Sequence, residues 1–232
     1  MLKSHAGGWA SDAPTPAQLK ELFAQIDSGR ITRDGLQAFL RGKTNSRIVA
    51  QYLKNWADFY CKFFGIVPDF SGLKLPEGKL GFDRLIVVAK GLTLNQVYDV
   101  CVKDFPCWRY ADDLDKAISH NDRSSSNSAY AIWIRNRVEA DEELKNLSAD
   151  QLKEQGIPGI TLLEHLLYEL KYWDETRKHL DVQNWTLCAG SRGSDGTVPR
   201  VDWRDSKLRV GWCDSDSRFD GLRARAAVPC QP

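Results

Sequence analysis

Leu162, Leu163, Leu166, Leu167, Leu170 and Trp173 recur at helical spacing after Thr161, and this wide apolar stripe constrains the fold more than any other stretch of the chain. A helix that carries it must bury one whole side. Thr161 and Glu164 form a capping box at its start, each side chain satisfying a backbone N–H that the first turn leaves unpaired. His165 lies within the stripe and is expected to be a hydrogen-bonded structural histidine. What covers the stripe follows from the tail. Past Glu175 there is no further Glu, Lys becomes scarce, and the apolar period changes to two. Val201 and Trp203 alternate with Arg200, Asp202 and Arg204. Leu208, Val210 and Trp212 alternate with Arg209, Gly211 and Cys213, and Leu222, Ala224, Ala226 and Val228 with Arg223 and Arg225. Three strands are predicted, in an antiparallel sheet whose apolar face lies on the Leu-rich helix and whose polar face meets water. Asp205-Ser206 reads as the turn of a hairpin, and Asp214 to Gly221 as a longer loop. Helix and sheet together make the chain α+β.

Three further capping boxes mark helix starts at Thr15, Thr93 and Ser148. The first opens a helix with Leu19, Leu22, Phe23 and Ile26 on one face. Thr32 caps a second, with Leu36, Phe39 and Leu40. This small helical hairpin ends at a linker, Gly42 to Arg47, so residues 1–47 form an amino-terminal helical region. Residues 48–128 read as a helical and α+β region. It holds a helix from Ile48 to Phe64 with a core-facing aromatic stripe, a strand from Leu85 to Ala89, and the helix from Thr93 to Phe105. No glycine-rich phosphate loop joins that strand to that helix. Pro106 to Ser119 reads as a turn and a helix, with Asp112, Asp113 and Asp115 favouring the positive end of its dipole. His120 to Ser128 reads as a loop. Residues 129–232 form the third region, opening with a strand from Ala129 to Val138 and an acidic link, Glu139 to Glu143.

Charge and cysteine usage exclude several functions. The 232 residues hold 32 Lys plus Arg against 31 Asp plus Glu, a formal net charge of +1, so no global basic excess is present for nucleic acid. No apolar run reaches the length of a membrane span, and no leader pattern precedes Gln25, so a cytoplasmic location and no membrane partner are expected. The six cysteines show no CxxC, and the histidines are distant from them. Neither a metal site nor a cofactor is implied, and buried or partly buried free thiols are expected.

The polar side of the tail is Arg, Asp, Ser, Gly and aromatic, where a merely solvated face would carry Lys and Glu. That mixture suits a recognition surface: adaptable hydrogen-bonding groups beside a few rigid anchors. Arg223 and Arg225 are expected to be structural, pinning a loop through carboxylates.

The order Trp185-Thr186-Leu187-Cys188-Ala189-Gly190-Ser191-Arg192, Val198-Pro199, Val201-Asp202-Trp203, Val210-Gly211-Trp212 and Leu222-Arg223-Ala224-Arg225 resembles the end of a C-type-lectin fold. More narrowly it resembles the variable proteins of diversity-generating retroelements, known chiefly from uncultivated bacteria. Arg84 to Gly91, Cys107 to Asp115 and Tyr130 to Leu144 resemble that group too. The resemblance implies a non-catalytic protein that displays a diversified ligand-binding surface, often for a protein ligand, on the carboxy-terminal sheet and loops. The positions implied are Arg200, Asp202, Trp203, Arg204, Asp205, Arg209, Asp214, Ser217, Arg218, Phe219 and Asp220. All except Trp203, which alternation puts on the apolar face, also fall outside the core by alternation or loop assignment. The calcium- and sugar-binding motifs of true C-type lectins are absent. Two alternatives stand beside this one. Formylglycine-generating enzymes share the architecture and use cysteine chemistry, which singles out Cys188 and Cys213. A nucleic-acid module could use the Arg-rich tail, although Arg192 to Arg225 has an excess of only two positive charges. The ligand's identity and any homo-oligomer are left open.

Overall fold

The structure, a computed structural model, describes residues 15–33, 36 and 46–230. The chain divides into two compact units, residues 1–43 and 44–232. In the first, helix α1 (Pro16–Asp27) begins at the expected capping box, with Thr15 and Gln18 bonded reciprocally and Pro16 at its first position. Leu19, Leu22 and Ile26 are half-buried and Phe23 is exposed. Most of the helix expected after Thr32 lies outside the described residues.

The second unit runs α2 (Ser46–Phe64), β1 (Arg84–Val88), α3 (Leu94–Asp104), β2 (Cys107–Arg109), α4 (Leu114–Ala117), β3 (Ile118–Asn121), β4 (Tyr130–Ile134), a 3-10 turn (Glu142–Leu144), α5 (Ala149–Glu154), α6 (Leu162–Thr176), β5 (Trp185–Leu187), β6 (Ser191–Gly193), β7 (Val198–Arg204), β8 (Lys207–Cys213), β9 (Leu222–Ala224) and β10 (Val228–Pro229). It is α+β. Among the described residues three sheets form, ordered β1-β4-β10, β2-β8-β7-β5-β9 and β3-β6. Strand β4 joins residues of the middle region to the last strand of the chain, so residues 48–128 and 129–232 share one sheet and one core.

The Leu-rich helix α6 is the hub. Its residues from Leu162 to Lys171 are all buried, and it packs against α3 and β1. The stripe is thus covered by those elements as well, in a core cluster that also contains Val201, Leu208 and Val210 of the carboxy-terminal sheet. Helix α2 is tied to β1 by its aromatic stripe. Trp56 Nε1 donates to the Leu85 carbonyl (3.1 Å), and the Tyr60 hydroxyl donates to Val87 (2.8 Å) while accepting from the Ala89 N–H (3.0 Å). The capping boxes at Thr93, Ser148 and Thr161 all close. Asp115 adds to the first, accepting from the Leu94 and Asn95 N–H groups (2.8 and 3.2 Å), so its charge serves the start of α3.

Several sequence expectations change. The carboxy-terminal sheet is mixed, not antiparallel: β7 pairs antiparallel with β8 and β5, but β2–β8 and β5–β9 are parallel. The loop after β8 delivers β9 beyond β5, at the far edge from β2, instead of returning it as a hairpin. The predicted strand Leu222 to Val228 divides between two sheets, with Ala226 bridging to Gly159 in between. Cys107–Arg109 is an edge strand where a turn and helix were expected, and Ile118–Asn121 is a strand reaching into the expected loop. The strand expected from Ala129 to Val138 is shorter, Tyr130–Ile134, and the helix expected from Ile48 starts within the linker, at Ser46.

The acidic link acts as a clamp. Glu139 accepts from the N–H groups of Val182, Gln183 and Asn184 and from the Asn184 amide, all at 3.0–3.1 Å. Asp141 holds Arg135 (2.6 Å) and the Ala226 N–H (2.8 Å). Arg223 is pinned by Glu142 (2.8 Å from Nε) and by Asn184. Arg225 is fully buried, with Nη2 2.6 Å from Asp181. Both arginines are structural, as expected.

His165 departs from expectation. It is fully buried, yet neither ring nitrogen makes a hydrogen bond; Nε2 lies 3.4 Å from Asp181 Oδ2. Burial, reinforced by the Arg225 charge, pushes its pKa well below the ordinary 6.5 and keeps it neutral. The unfolded chain takes up a proton below about pH 6.5 and the folded one does not, so this residue costs stability as pH falls through that range. His165→Leu removes the cost. Wild type is expected to lose stability relative to this variant by up to about 1.4 kcal/mol per pH unit below pH 6.5, measured by urea unfolding at several pH values. Parallel pH profiles for the two proteins would count against it.

Candidate functional site

Alternation along β7 and β8 builds one polar face. The register sets Arg200 opposite Gly211, Asp202 opposite Arg209 and Arg204 opposite Lys207, on the side away from Val201 and Val210. The hairpin turn has φ of 53° at Asp205 and 57° at Ser206, the two positive values that a two-residue hairpin turn of the twist-matching kind requires. Arg209 Nη1 reaches back to Asp205 (3.3 Å). Strand β2 places Trp108 beside Arg209, and β5 brings in Trp185.

The aromatic rings carry the arginines. The Arg204 guanidinium carbon lies 4.3 Å from the Trp185 ring centre and that of Arg200 5.4 Å, while Arg209 lies 5.4 Å from Trp108. Phe219 meets Trp185 edge-on (5.2 Å) and Arg200 at 5.8 Å. Gly221 closes the loop onto this ring: a Cβ there would overlap the indole of Trp185. These contacts fix planar cations over planar rings, at little further cost in side-chain freedom.

Asp202 lies beneath the arginines. It is only 6% exposed, deeper than a strand's water-facing side implies, and its Oδ2 has no hydrogen-bond partner; Arg204 Nε is 3.6 Å away. Burial pushes its carboxyl up against the opposing pull of Arg204, Arg209 and Arg200. Arg200 Nε is likewise buried and without a partner. A buried donor and a buried acceptor, each without a hydrogen bond, thus lie two residues apart on one face. Leaving such atoms without a hydrogen bond costs about 1–3 kcal/mol each.

The loop after β8 displays the rest. Asp214, Asp216, Arg218 and Asp220 are exposed, and Ser217 and Phe219 half-buried. Its backbone is stapled: the Ser217 N–H bonds to Asp214 (3.1 Å), Ser215 and Asp150 bond reciprocally (2.7 and 3.1 Å), and Arg218 Nε donates to the Asn146 carbonyl (3.1 Å).

The structure therefore gathers Arg200, Asp202, Arg204, Asp205 and Arg209 on the sheet, with Asp214, Ser217, Arg218, Phe219 and Asp220 in the loop that follows it. Trp203 is placed elsewhere. Its ring stacks on His179, which stacks in turn on Trp173, with Phe105 edge-on, so it supports the scaffold. Sequence reasoning missed Trp108, Trp185 and Lys207 on the face. Trp108 is 44% exposed, and its three-residue strand is too short for a local pattern to announce.

The cysteines give little support to nucleophilic chemistry. All six are free thiols; Cys61 and Cys230 are exposed, contrary to expectation, and Cys188 and Cys213 are buried. Burial pushes the Cys213 thiol up to about 11 and Cys188 well above its ordinary range, opposite to what an activated thiolate needs. Among the described residues no group of three or more His, Cys, Asp or Glu is arranged to hold a metal ion, and no helix is long and apolar enough to cross a membrane. Set against protein-family models, curated proteins and solved structures, the chain matches none.

Proposed function

We propose that this chain is a non-catalytic binding protein whose recognition surface is the outer face of β7 and β8 with the loop that follows them. One observation carries the reading: Arg200, Arg204 and Arg209 are held over Trp185 and Trp108 around the buried carboxylate of Asp202. Aromatic and Arg side chains with little freedom left to lose are what interface anchors are made of. The exposed positions, borne by a stapled backbone, are free to vary without touching the core. That separation supports the further reading that the chain is a diversified variable protein with a C-type-lectin-like scaffold. A reverse-transcriptase gene nearby, with a near-copy of the gene's last stretch differing mainly at adenines, is the genomic signature of that reading. Six free thiols fit a reducing cytoplasm, and the expected ligand is a protein.

The test is affinity capture with the immobilised full chain and two variants. Arg204→Ser with Arg209→Ser is expected to lose captured partners at an unchanged melting temperature. Lys153→Ser with Glu154→Ser, at the end of α5, is expected to keep them. Partners retained by the first variant would place recognition elsewhere.

A further inference from the structure

We infer that the sheet face takes a carboxylate, presented by an acidic segment of a partner protein. This rests on the recognition reading above and names the chemistry of its ligand. On the hairpin, Arg200, Arg204, Lys207 and Arg209 stand against Asp202 and Asp205, leaving an excess of two positive charges on a small patch of a chain that is nearly neutral overall. The cations are mostly guanidiniums, and these are oriented. Arg204 and Arg200 lie over Trp185, Arg209 lies over Trp108, and Asp202 Oδ2 lies 3.6 Å from Arg204 Nε. A planar fork oriented this way matches the two oxygens of a carboxylate. The Arg200 side chain lies across Gly211, where a Cβ would be 3.5 Å from its Nε.

A phosphate chain fits this face less well. Single-stranded nucleic acid gains its sequence-tolerant affinity by stacking bases on aromatic rings along a continuous positive groove. Here guanidiniums already lie over both indoles. Asp202 and Asp205 interrupt the positive row that such a groove needs. A short acidic segment needs only the few sites present.

The experiment titrates the full chain at physiological salt with poly-L-glutamate, poly-L-lysine and an oligothymidylate, read by tryptophan fluorescence. Poly-L-glutamate is expected to bind, and more tightly than the oligothymidylate; poly-L-lysine is not expected to bind. Arg204→Gln with Arg209→Gln should weaken poly-L-glutamate about 100-fold, because the variant cannot make two of the charge-assisted hydrogen bonds. Arg204→Lys with Arg209→Lys keeps the charge but not the fork, and should weaken it by about ten-fold. Both side chains are substantially exposed, at 47% and 35%, so the melting temperature should be unchanged in each. Equal or tighter binding of the oligothymidylate overturns the proposal in favour of phosphate, and undiminished binding by the Gln variant overturns the site. If neither polyanion binds but the Arg204/Arg209 variant still loses captured partners, the acidic ligand is wrong and the recognition face stands. Retention of those partners removes both.

Discussion

Replacing Arg225 by Leu should destabilise the protein by about 3–5 kcal/mol, the range for breaking a buried ion pair from one side. The guanidinium is 1% exposed. Its Nη2 donates to Asp181 (2.6 Å) and to the Val138 carbonyl (2.7 Å), its Nη1 to the Arg137 carbonyl (2.9 Å) and its Nε to Thr186 (3.2 Å). Leucine would leave Asp181 buried without its cation, while the Arg137 and Val138 carbonyls would lose one donor each and keep the Tyr168 hydroxyl and the Asp181 N–H (both 3.1 Å). The Thr186 hydroxyl and Ala140 N–H still bond to Asp181 (2.7 and 3.0 Å), so the carboxylate is stranded but not naked. Burial already pushes that carboxyl up to about 7 even with Arg225 beside it. In the variant it should take up a proton at higher pH, so the deficit relative to wild type should shrink as pH falls toward 7 and stay level below it, where both folded proteins hold the proton. Urea unfolding at pH 8 and pH 5 measures both effects. Adding Asp181→Leu should recover part of the loss, because the pair is then removed whole.

Glu164→Ala is expected to cost a similar amount, about 3–5 kcal/mol, for two reasons that act together. Glu164 is fully buried and grips Arg123 with both oxygens (2.6 and 2.8 Å). The same carboxylate accepts from the Thr161 N–H (2.7 Å), closing the capping box of α6. Alanine strands a largely buried guanidinium and uncaps the helix on which the core is built. Glu164→Gln keeps an acceptor for the cap but no charge for Arg123, so it should fall between wild type and alanine in thermal and urea midpoints. A loss below about 1 kcal/mol for alanine would show that solvent reaches Arg123 and supplies what the carboxylate did.

Local signals were the legible ones. All four capping boxes were visible as residue pairs, and each forms, because the chemistry of a cap lies within four residues. The β7–β8 hairpin was visible too, since its alternation and its Asp205-Ser206 turn are contiguous. What the sequence hid was long-range. Cys107–Arg109 becomes a strand only because β8, about a hundred residues later, offers an edge; three residues carry too little pattern to announce it. The parallel pairing of β9 with β5 depends on how the Asp214 to Gly221 loop crosses the sheet, which no local period records. In the site, alternation gave the facing of Arg200, Arg204 and Arg209 but not the depth of Asp202, which is set by the side chains that close over it. Trp108 and Trp185 lie outside the hairpin and join its face only through tertiary pairing.

Two randomised libraries, displayed and challenged with protease, measure most directly whether recognition and folding occupy separate residues of this chain. One varies Arg204, Lys207, Arg209, Asp214, Arg218 and Asp220, and the other Thr186, Val201, Trp203, Leu208, Val210 and Arg225. Most clones of the first library should resist cleavage as the parent does, and most of the second should be lost. Equal losses in the two would contradict the division of the sheet into a displayed face and a supporting one.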